Sequence, residues 1–379
     1  MRIELPEPSA EEREHSATLA RFIRNEIAEK GPMPFSRFME MALYAPGLGY
    51  YSAGKTKFGA AGDFITAPEL GAVFARCVAR AMAPALLGIG ADAQVLELGG
   101  GSGAFAEHCL IELARLDALP AVYAILEPSA DLRARQRERL GAALPVELSA
   151  RVRWIDRPPE EDWRGVLFAN EVIDALPTTR FSIRGGEVFE EHVIDDGEEG
   201  FAIVDLPADG FVGGAVRHIE RDIDAHLPDD YRSEVLPQLP YWIQAVCGGL
   251  AQGLAIFVDY GYARREYYRL DRRAGTLLAN YRHRAHDDPF RLVGLQDITA
   301  FVDFGALAES GTGAGFEIAG LGTQADFLIA NGLSEVFAEA HAAAPDEAAR
   351  YRLSQEIKRL TLPGEMGERF KVIAFERRV

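Results

Sequence analysis

Directly after a short apolar run, the stretch VLELGGGSGAF (Val95 to Phe105) puts four glycines within five residues, with Glu97 just ahead of them. Residues this small let a ligand lie against the backbone, and glycine also takes positive φ readily. Where a parallel strand gives way to a helix, the first N–H groups of that helix face such a ligand. The spacing is E-x-G-x-G-x-G, carried by Glu97, Gly99, Gly101 and Gly103. Gly99, Gly101 and Ala104 also satisfy the dinucleotide pattern G-x-G-x-x-G/A. The glycines alone therefore admit a methyl donor, a dinucleotide or a tight turn with no ligand.

Two acids favour S-adenosyl-L-methionine over a dinucleotide. Glu97 stands on the loop's own strand, where an anion repels a pyrophosphate and suits the ammonium of a methionyl group. Glu127 ends the next apolar run in AILEPS. A carboxylate at that strand end accepts hydrogen bonds from both ribose hydroxyls, a role that NAD enzymes share. The following EPSADLR opens with acids and has no basic cluster for a 2′-phosphate. This weakens the rival reading, an NADP-type oxidoreductase. The plainer alternative for Glu127 is a solvated strand end.

A second constellation lies in LFANEVIDALPTTRF. Asn170 and Glu171 follow a fourth apolar run, on the edge where sheets of this kind bind ligands. Asp174 comes three residues after Glu171. If EVIDAL is helical, the two acids share a face. Paired carboxylates in a partly dry cleft hold a cationic substrate and take its proton. The plainer reading makes one a helix cap and leaves the other in solvent.

The elements that must position these residues are legible as periods. QVLELG, AVYAILEP, VRWID, GVLFANEVI and GLAIFVDYG are short apolar runs with little polar alternation, as parallel strands buried on both faces require. Stretches such as DLRARQRERL supply crossover helices, giving the rhythm of an α/β doubly wound sheet. FEIAGLGTQADFL and ERFKVIAFER offer two more strands, the last antiparallel at or near an edge. Ahead of the sheet, SAEE has the capping-box pattern and Leu19, Phe22, Ile23 and Ile27 follow at helical spacing. A second helix is expected over Phe35 to Leu43, and a third entered through Thr66, Pro68 and Glu69. RFSIRGGEVFEEHVI alternates around Gly185 and Gly186, which predicts a hairpin. The expected organisation is a helical region over 1–90, a core over 91–177 and 251–379, and an inserted α+β region over 178–250.

Composition narrows the function classes. Of the 379 residues 48% are hydrophobic and 26% charged, as in a soluble globular protein, and the net charge is −18. That charge opposes a phosphate backbone, so no nucleic acid partner is expected. No apolar run approaches the roughly 18 residues of a membrane helix, and the acidic N-terminal stretch fits neither a transit peptide nor a secretory signal. Cys77, Cys109 and Cys247 are scattered and read as buried thiols of a reducing compartment. His283 and His286 in RHRAHDD have only loose ligand spacing, so a polar loop is expected there and no metal.

Together these motifs resemble the MidA-type family of S-adenosylmethionine-dependent methyltransferases. The resemblance runs over nearly the whole chain. GDFITAPE, NEVIDALP and GTLLANYRHR are its most specific stretches, in the family's order. It implies a class I methyltransferase fold: a seven-stranded Rossmann-like sheet with helices on both faces and a helical N-terminal addition. It implies S-adenosyl-L-methionine at Gly99, Gly101 and Gly103, with Glu127 at the ribose. It also implies that the segment through Asp63, Phe64, Thr66 and Glu69 folds over the same cleft. The family includes a mitochondrial factor that methylates an arginine on a core subunit of respiratory complex I. A protein arginine N-methyltransferase of the bacterial cytoplasm is therefore expected, acting on a 49-kDa-type complex I subunit. Glu171, Asp174 and Asp63 are the candidates to orient the guanidinium and accept its proton. An assembly factor that keeps this fold and only holds a partner subunit is the remaining alternative.

Overall fold

All five runs read as core strands form, at Gln94–Leu98, Val122–Leu126, Val152–Ile155, Trp163–Asn170 and Leu250–Tyr262. Two later strands, Glu317–Thr323 and Phe370–Arg377, complete the row. The computed structural model describes residues 4–53, 66–160, 162–197 and 200–378. Across the sheet the order is Glu317–Thr323, Phe370–Arg377, Leu250–Tyr262, Trp163–Asn170, Gln94–Leu98, Val122–Leu126, Val152–Ile155. Phe370–Arg377 is antiparallel to both neighbours and stands one place in from the edge, as its sequence position suggested. The strands between Leu250–Tyr262 and Val152–Ile155 pair in parallel.

Chain order reverses beside Gln94–Leu98. The chain runs outward from it through Val122–Leu126, then returns to its other side at Trp163–Asn170. In open α/β sheets ligands bind at the carboxyl ends of strands flanking such a switch point. Register brings these ends level: Leu98 pairs with both Leu126 and Ala169. Gly99, Glu127 and Asn170 are the next residues on the three strands.

By contact the chain forms two compact units. One comprises Ile65–Val172, Pro240–Gly261 and Ala306–Val379. It carries the sheet. On one face Phe74, Val78, Phe105 and Leu110 join Val95, Phe168, Ile256 and Val258 in a continuous core. On the other, Phe257 meets Trp242 and Phe375 at ring separations of 6.3 and 6.1 Å. The helix read through Thr66 and Glu69 is two helices, Ala67–Leu70 and Val73–Ile89. The break lies at Gly71, where a Cβ would collide with the Glu356 carboxylate. Glu356 is buried and accepts the Val73 N–H at 2.8 Å, so a distant side chain caps the second helix.

The other unit comprises Met1–Phe64, Ile173–Leu239 and Tyr262–Gly305. Helix Ala10–Lys30 starts with the expected capping box: Ser9 Oγ accepts the Glu12 N–H at 3.1 Å, and Glu12 accepts the Ser9 N–H at 2.7 Å. Leu19, Ile23 and Ile27 are buried, whereas Phe22 is exposed because the buried stripe runs at strict i, i+4 spacing. Helix Phe35–Tyr44 follows. The Gly-Gly hairpin pairs Thr179–Arg184 with Glu187–Asp195, and Gly185 and Gly186 take φ of 56° and 77°. RHRAHDD is not a plain loop. Arg282 and His283, at φ 45° and 61°, turn the chain between strands Leu278–Tyr281 and Arg284–His286. Leu277, Val293, Ile298 and Ala300 share a core with Leu19, Ile23, Phe35 and Phe38. Because of that packing the grouping differs from the bounds 178–250 and 251–379 read off the sequence. Among the described residues no helix is long and apolar enough to cross a membrane.

Glu356→Leu leaves the Val73 N–H buried without an acceptor. We expect a loss of about 1–3 kcal/mol, read as a lower urea midpoint. An unchanged midpoint would show that another group caps this helix.

Candidate functional site

The glycine loop owes its shape to positive φ and close approach. Gly99, Gly101 and Gly103 take φ of 65°, 51° and 85°, and Gly103 is the N-cap of helix Ala104–Arg115. Gly100 is required for a different reason: a Cβ there would lie 2.8 Å from Ile125 Cγ2 and 3.1 Å from Gln136 Nε2. A Cβ on Gly101 would meet nothing within 4 Å, so this backbone faces open space at a helix N-terminus.

Side chains brace the loop from two sides. Ser102 Oγ donates to Glu69, accepts from Arg139 at 3.2 Å and also accepts the Ala104 N–H at 3.3 Å. Arg139 Nε in turn donates to Glu107 at 2.7 Å. Glu69, at the end of the segment expected to cover the loop, is thereby tied to it. Thr66 is the N-cap position of Ala67–Leu70 but makes no side-chain cap bond. Asp63 and Phe64 lie outside the described residues. On the second side, the buried Glu127 accepts the Ser129 N–H at 2.9 Å and the Gln136 amide at 3.4 Å. Gln136 also donates to Gly101 O at 2.9 Å and accepts from Trp154 Nε1 at 2.8 Å. Glu127 is thus a fixed, buried acceptor and not a solvated strand end.

Glu97 stands on the strand ahead of the loop, as read, but inside the sheet. Its carboxylate is buried and accepts the Tyr123 hydroxyl at 2.8 Å. Burial pushes its pKa up to about 8, the Tyr123 bond opposes this, and Glu127 adds to it. Burial thus favours its protonated form, which weakens the argument against a pyrophosphate that rested on its charge.

Asn170 and Glu171 end the strand on the other side of the switch point. Asn170 Nδ2 donates to Glu171 Oε1 at 2.9 Å, which fixes the amide's orientation. Its Oδ1 is buried with no partner among the described residues, an acceptor that a ligand N–H would complete. Glu171 is held at φ 53°, rare for a residue with a Cβ, and its N–H donates to Val258 O at 2.9 Å. Strain of this kind costs on the order of 1–3 kcal/mol and clusters at functional sites.

No helix forms over EVIDAL. Glu171 is left-handed, Val172 and Ile173 are β-branched, and Pro177 restricts the residue before it. Too few residues remain to nucleate a helix. Glu171 and Asp174 therefore share no helical face, and the division between the compact units falls between them. Asp174 is buried in its unit, and its carbonyl accepts the Ala300 N–H at 3.0 Å. Its charge acts on Tyr51. Burial raises Tyr51 well above the usual phenol value, with Asp297, Tyr44 and Asp174 adding to it. Tyr51 donates to Asp297 at 2.9 Å and stacks on Tyr44 at 5.5 Å.

Gly100, Ser102, Gln136 and Trp154 were missing from the residues read off the sequence. One had a signal. In DLRARQRERL the buried positions are Leu132, Gln136 and Leu140, so Gln136 is a polar residue on a core stripe. Ser102 and Trp154 had none, because their partners come from distant segments.

Glu97 generates a pH prediction. Its folded pKa of about 8 stands above the ordinary 4.5. The stability it contributes is therefore intact below about 4.5 and lost as pH rises through about 8. Thermal melts should show wild type losing more stability than Glu97→Gln between about pH 5.5 and 8.5. Parallel curves would mean that Glu97 ionises normally.

Residues 74–322 match the family described as "Putative S-adenosyl-L-methionine-dependent methyltransferase". A candidate methyl transferase from Burkholderia thailandensis, solved bound to S-adenosyl-homocysteine, superposes with a TM-score of 0.92 at 42% identity, covering 99% of this chain and 95% of that one. The mitochondrial protein arginine methyltransferase NDUFAF7 homolog of Drosophila melanogaster is 28% identical over 98% of this chain and 87% of its own length. The Danio rerio protein arginine methyltransferase NDUFAF7 is 26% identical over 93% and 86%. These similarities decide the choice that glycine spacing left open, for the methyl donor and against the dinucleotide. The sheet is the Rossmann-like sheet of a class I methyltransferase, its cofactor is S-adenosyl-L-methionine, and the chain belongs to this methyltransferase family.

Proposed function

We propose that the protein is a protein arginine N-methyltransferase. The observation that carries this reading is similarity over nearly the whole chain to proteins named protein arginine methyltransferases. We further propose a bacterial, cytoplasmic enzyme whose target is the complex I core subunit described above, in its unassembled state. A folded subunit seldom offers an arginine to a deep cleft, so the acceptor is a flexible segment.

In this reading Gly99, Gly101 and Gly103 seat the cofactor at the N-terminus of helix Ala104–Arg115. Three observations favour the fit: the open space beside Gly101, the buried Glu127 carboxylate and the unpartnered Asn170 Oδ1. Glu127 takes the ribose hydroxyls and Asn170 the methionyl end. Thr66 and Glu69 cover the loop. Glu97 lies beneath it and completes the methionyl end only after losing its proton. When bound, S-adenosyl-L-methionine supplies an electrophilic methyl group. The chain's own work is to align the acceptor nitrogen, which is mostly a matter of positioning.

A guanidinium has a pKa above about 12, and its protonated nitrogens are poor nucleophiles. Carboxylates must orient it and accept a proton as the new bond forms. Glu171 is our first candidate, because it follows the strand end directly and Asn170 Nδ2 holds one of its carboxylate oxygens. Asp174 and Asp63 are the others. An acidic protein of net charge −18 suits a cationic acceptor better than a phosphate or hydroxyl one.

Isothermal titration should show one S-adenosyl-L-methionine site and no NADP site. Gly101→Val forces a β-branched residue to φ 51°, and we expect binding more than about tenfold weaker. Binding equal to wild type would remove the cofactor from this loop. For the chemistry, Asp174→Asn keeps shape and loses charge. Cofactor affinity should stay within a few-fold while turnover falls about a hundredfold. Unchanged turnover would assign Asp174 to the buried frame of its unit. The target is tested with the purified subunit, the enzyme and labelled cofactor, followed by peptide mapping. Arginine label is expected. Label on lysine, or none from an otherwise active enzyme, counts against the target.

A further inference from the structure

Gln136 sits on helix Ala130–Ala143 in line with Leu132 and Leu140, and it is fully buried. A leucine there would continue the apolar stripe, so packing does not ask for an amide. A buried amide is costly unless its donors and acceptor are used. Gln136 uses them on three elements. The indole of Trp154 only donates, so its bond to Oε1 orients the amide. Nε2 is thereby turned toward Gly101 O and Glu127 Oε2.

Both contacts act on groups that face the cofactor. Holding Gly101 O toward Gln136 fixes the following trans peptide. The N–H of Ser102 then points the opposite way, as in any trans peptide. Holding Glu127 Oε2, while the Ser129 N–H holds Oε1, sets the plane of that carboxylate before a ligand arrives. A pair of vicinal hydroxyls needs one such plane.

We propose that Gln136 is the positioning residue of the cofactor site, locked by Trp154, coupling the glycine loop to the ribose-binding carboxylate. The proposal rests on the reading of Glu127 as the ribose acceptor. Gln136 itself touches no substrate. It acts through Glu127 and the Gly101–Ser102 peptide.

The test measures binding of S-adenosyl-L-homocysteine and its 2′-deoxyribose analogue by calorimetry. The proteins are wild type, Gln136→Leu, Trp154→Phe, Glu127→Gln and the Gln136→Leu/Glu127→Gln double variant. Gln136→Leu should bind the ribose ligand about tenfold more weakly, the scale of one lost charge-assisted hydrogen bond. Its preference for ribose over deoxyribose should fall, a readout that loss of packing would not move. The double variant should be within about twofold of Glu127→Gln, because coupled residues are not additive. Binding by Gln136→Leu within about twofold of wild type, with the ribose preference kept, overturns the proposal; so does full additivity. Should Gln136→Leu not fold, Trp154→Phe decides: a reduced ribose preference supports the coupling and an unchanged one overturns it. Wild-type affinity in Glu127→Gln overturns the ribose reading itself, and the coupling with it.

Discussion

The pairing of Leu98 with both Leu126 and Ala169 is the constraint on which the candidate site depends. It brings three chain segments to one level at the sheet's carboxyl edge, so Gly99, Glu127 and Asn170 emerge side by side. A slip of one residue in any of these strands would turn its side chains to the opposite face. Close packing resists the slip. Val95, Phe168 and Ile256 fill one packed face and Phe257 the other, and exchanging the two sets would mismatch the side chains on both. The site is thus a by-product of where the apolar residues must go.

A loop of glycines is a flexible start for a binding site, because glycine loses more freedom on ordering than any other residue. The order comes from outside the loop. Glu69, Arg139 and Glu107 brace Ser102, while Gln136 and Trp154 brace Gly101. Small side chains leave space for the ligand, and the larger ones around them hold the backbone in a single shape. Preorganisation of this kind lowers the entropy lost on binding.

The acids singled out in the sequence behave differently because their surroundings differ. Glu97 lies inside the sheet's core, and burial favours its protonated form. Glu127 is buried too, yet two donors fix its oxygens. Glu171 sits in a strained turn at the strand end, and Asp174 belongs to the other unit, where its charge acts on Tyr51. Four carboxyl groups of nearly the same chemistry are set apart by burial, by the donors around them and by the backbone that carries them.

The sequence by itself determined the seven strands of the main row, the doubly wound rhythm, the antiparallel last strand, the Gly-Gly hairpin and the first capping box. Each is a local pattern of apolar period or turn chemistry, and such patterns survive without tertiary context. It also marked Gly99, Gly101, Gly103, Glu127, Asn170 and Glu171, because residues that follow a strand are ordered along the chain. Only the tertiary structure decided the break at Gly71, the loss of a helix over EVIDAL, the protonated Glu97 and the part played by Gln136. The Gly71 break depends on Glu356 and the Gln136 network on Trp154, groups far away in sequence. The Glu97 shift depends on the depth of burial. The segment Glu171 to Pro177 is too short for propensity to prevail over the strand that ends at Asn170 and the core into which Asp174 is drawn. Contacts between distant segments and the depth of a group below the surface are set by the folded chain, and no local window of the sequence contains them.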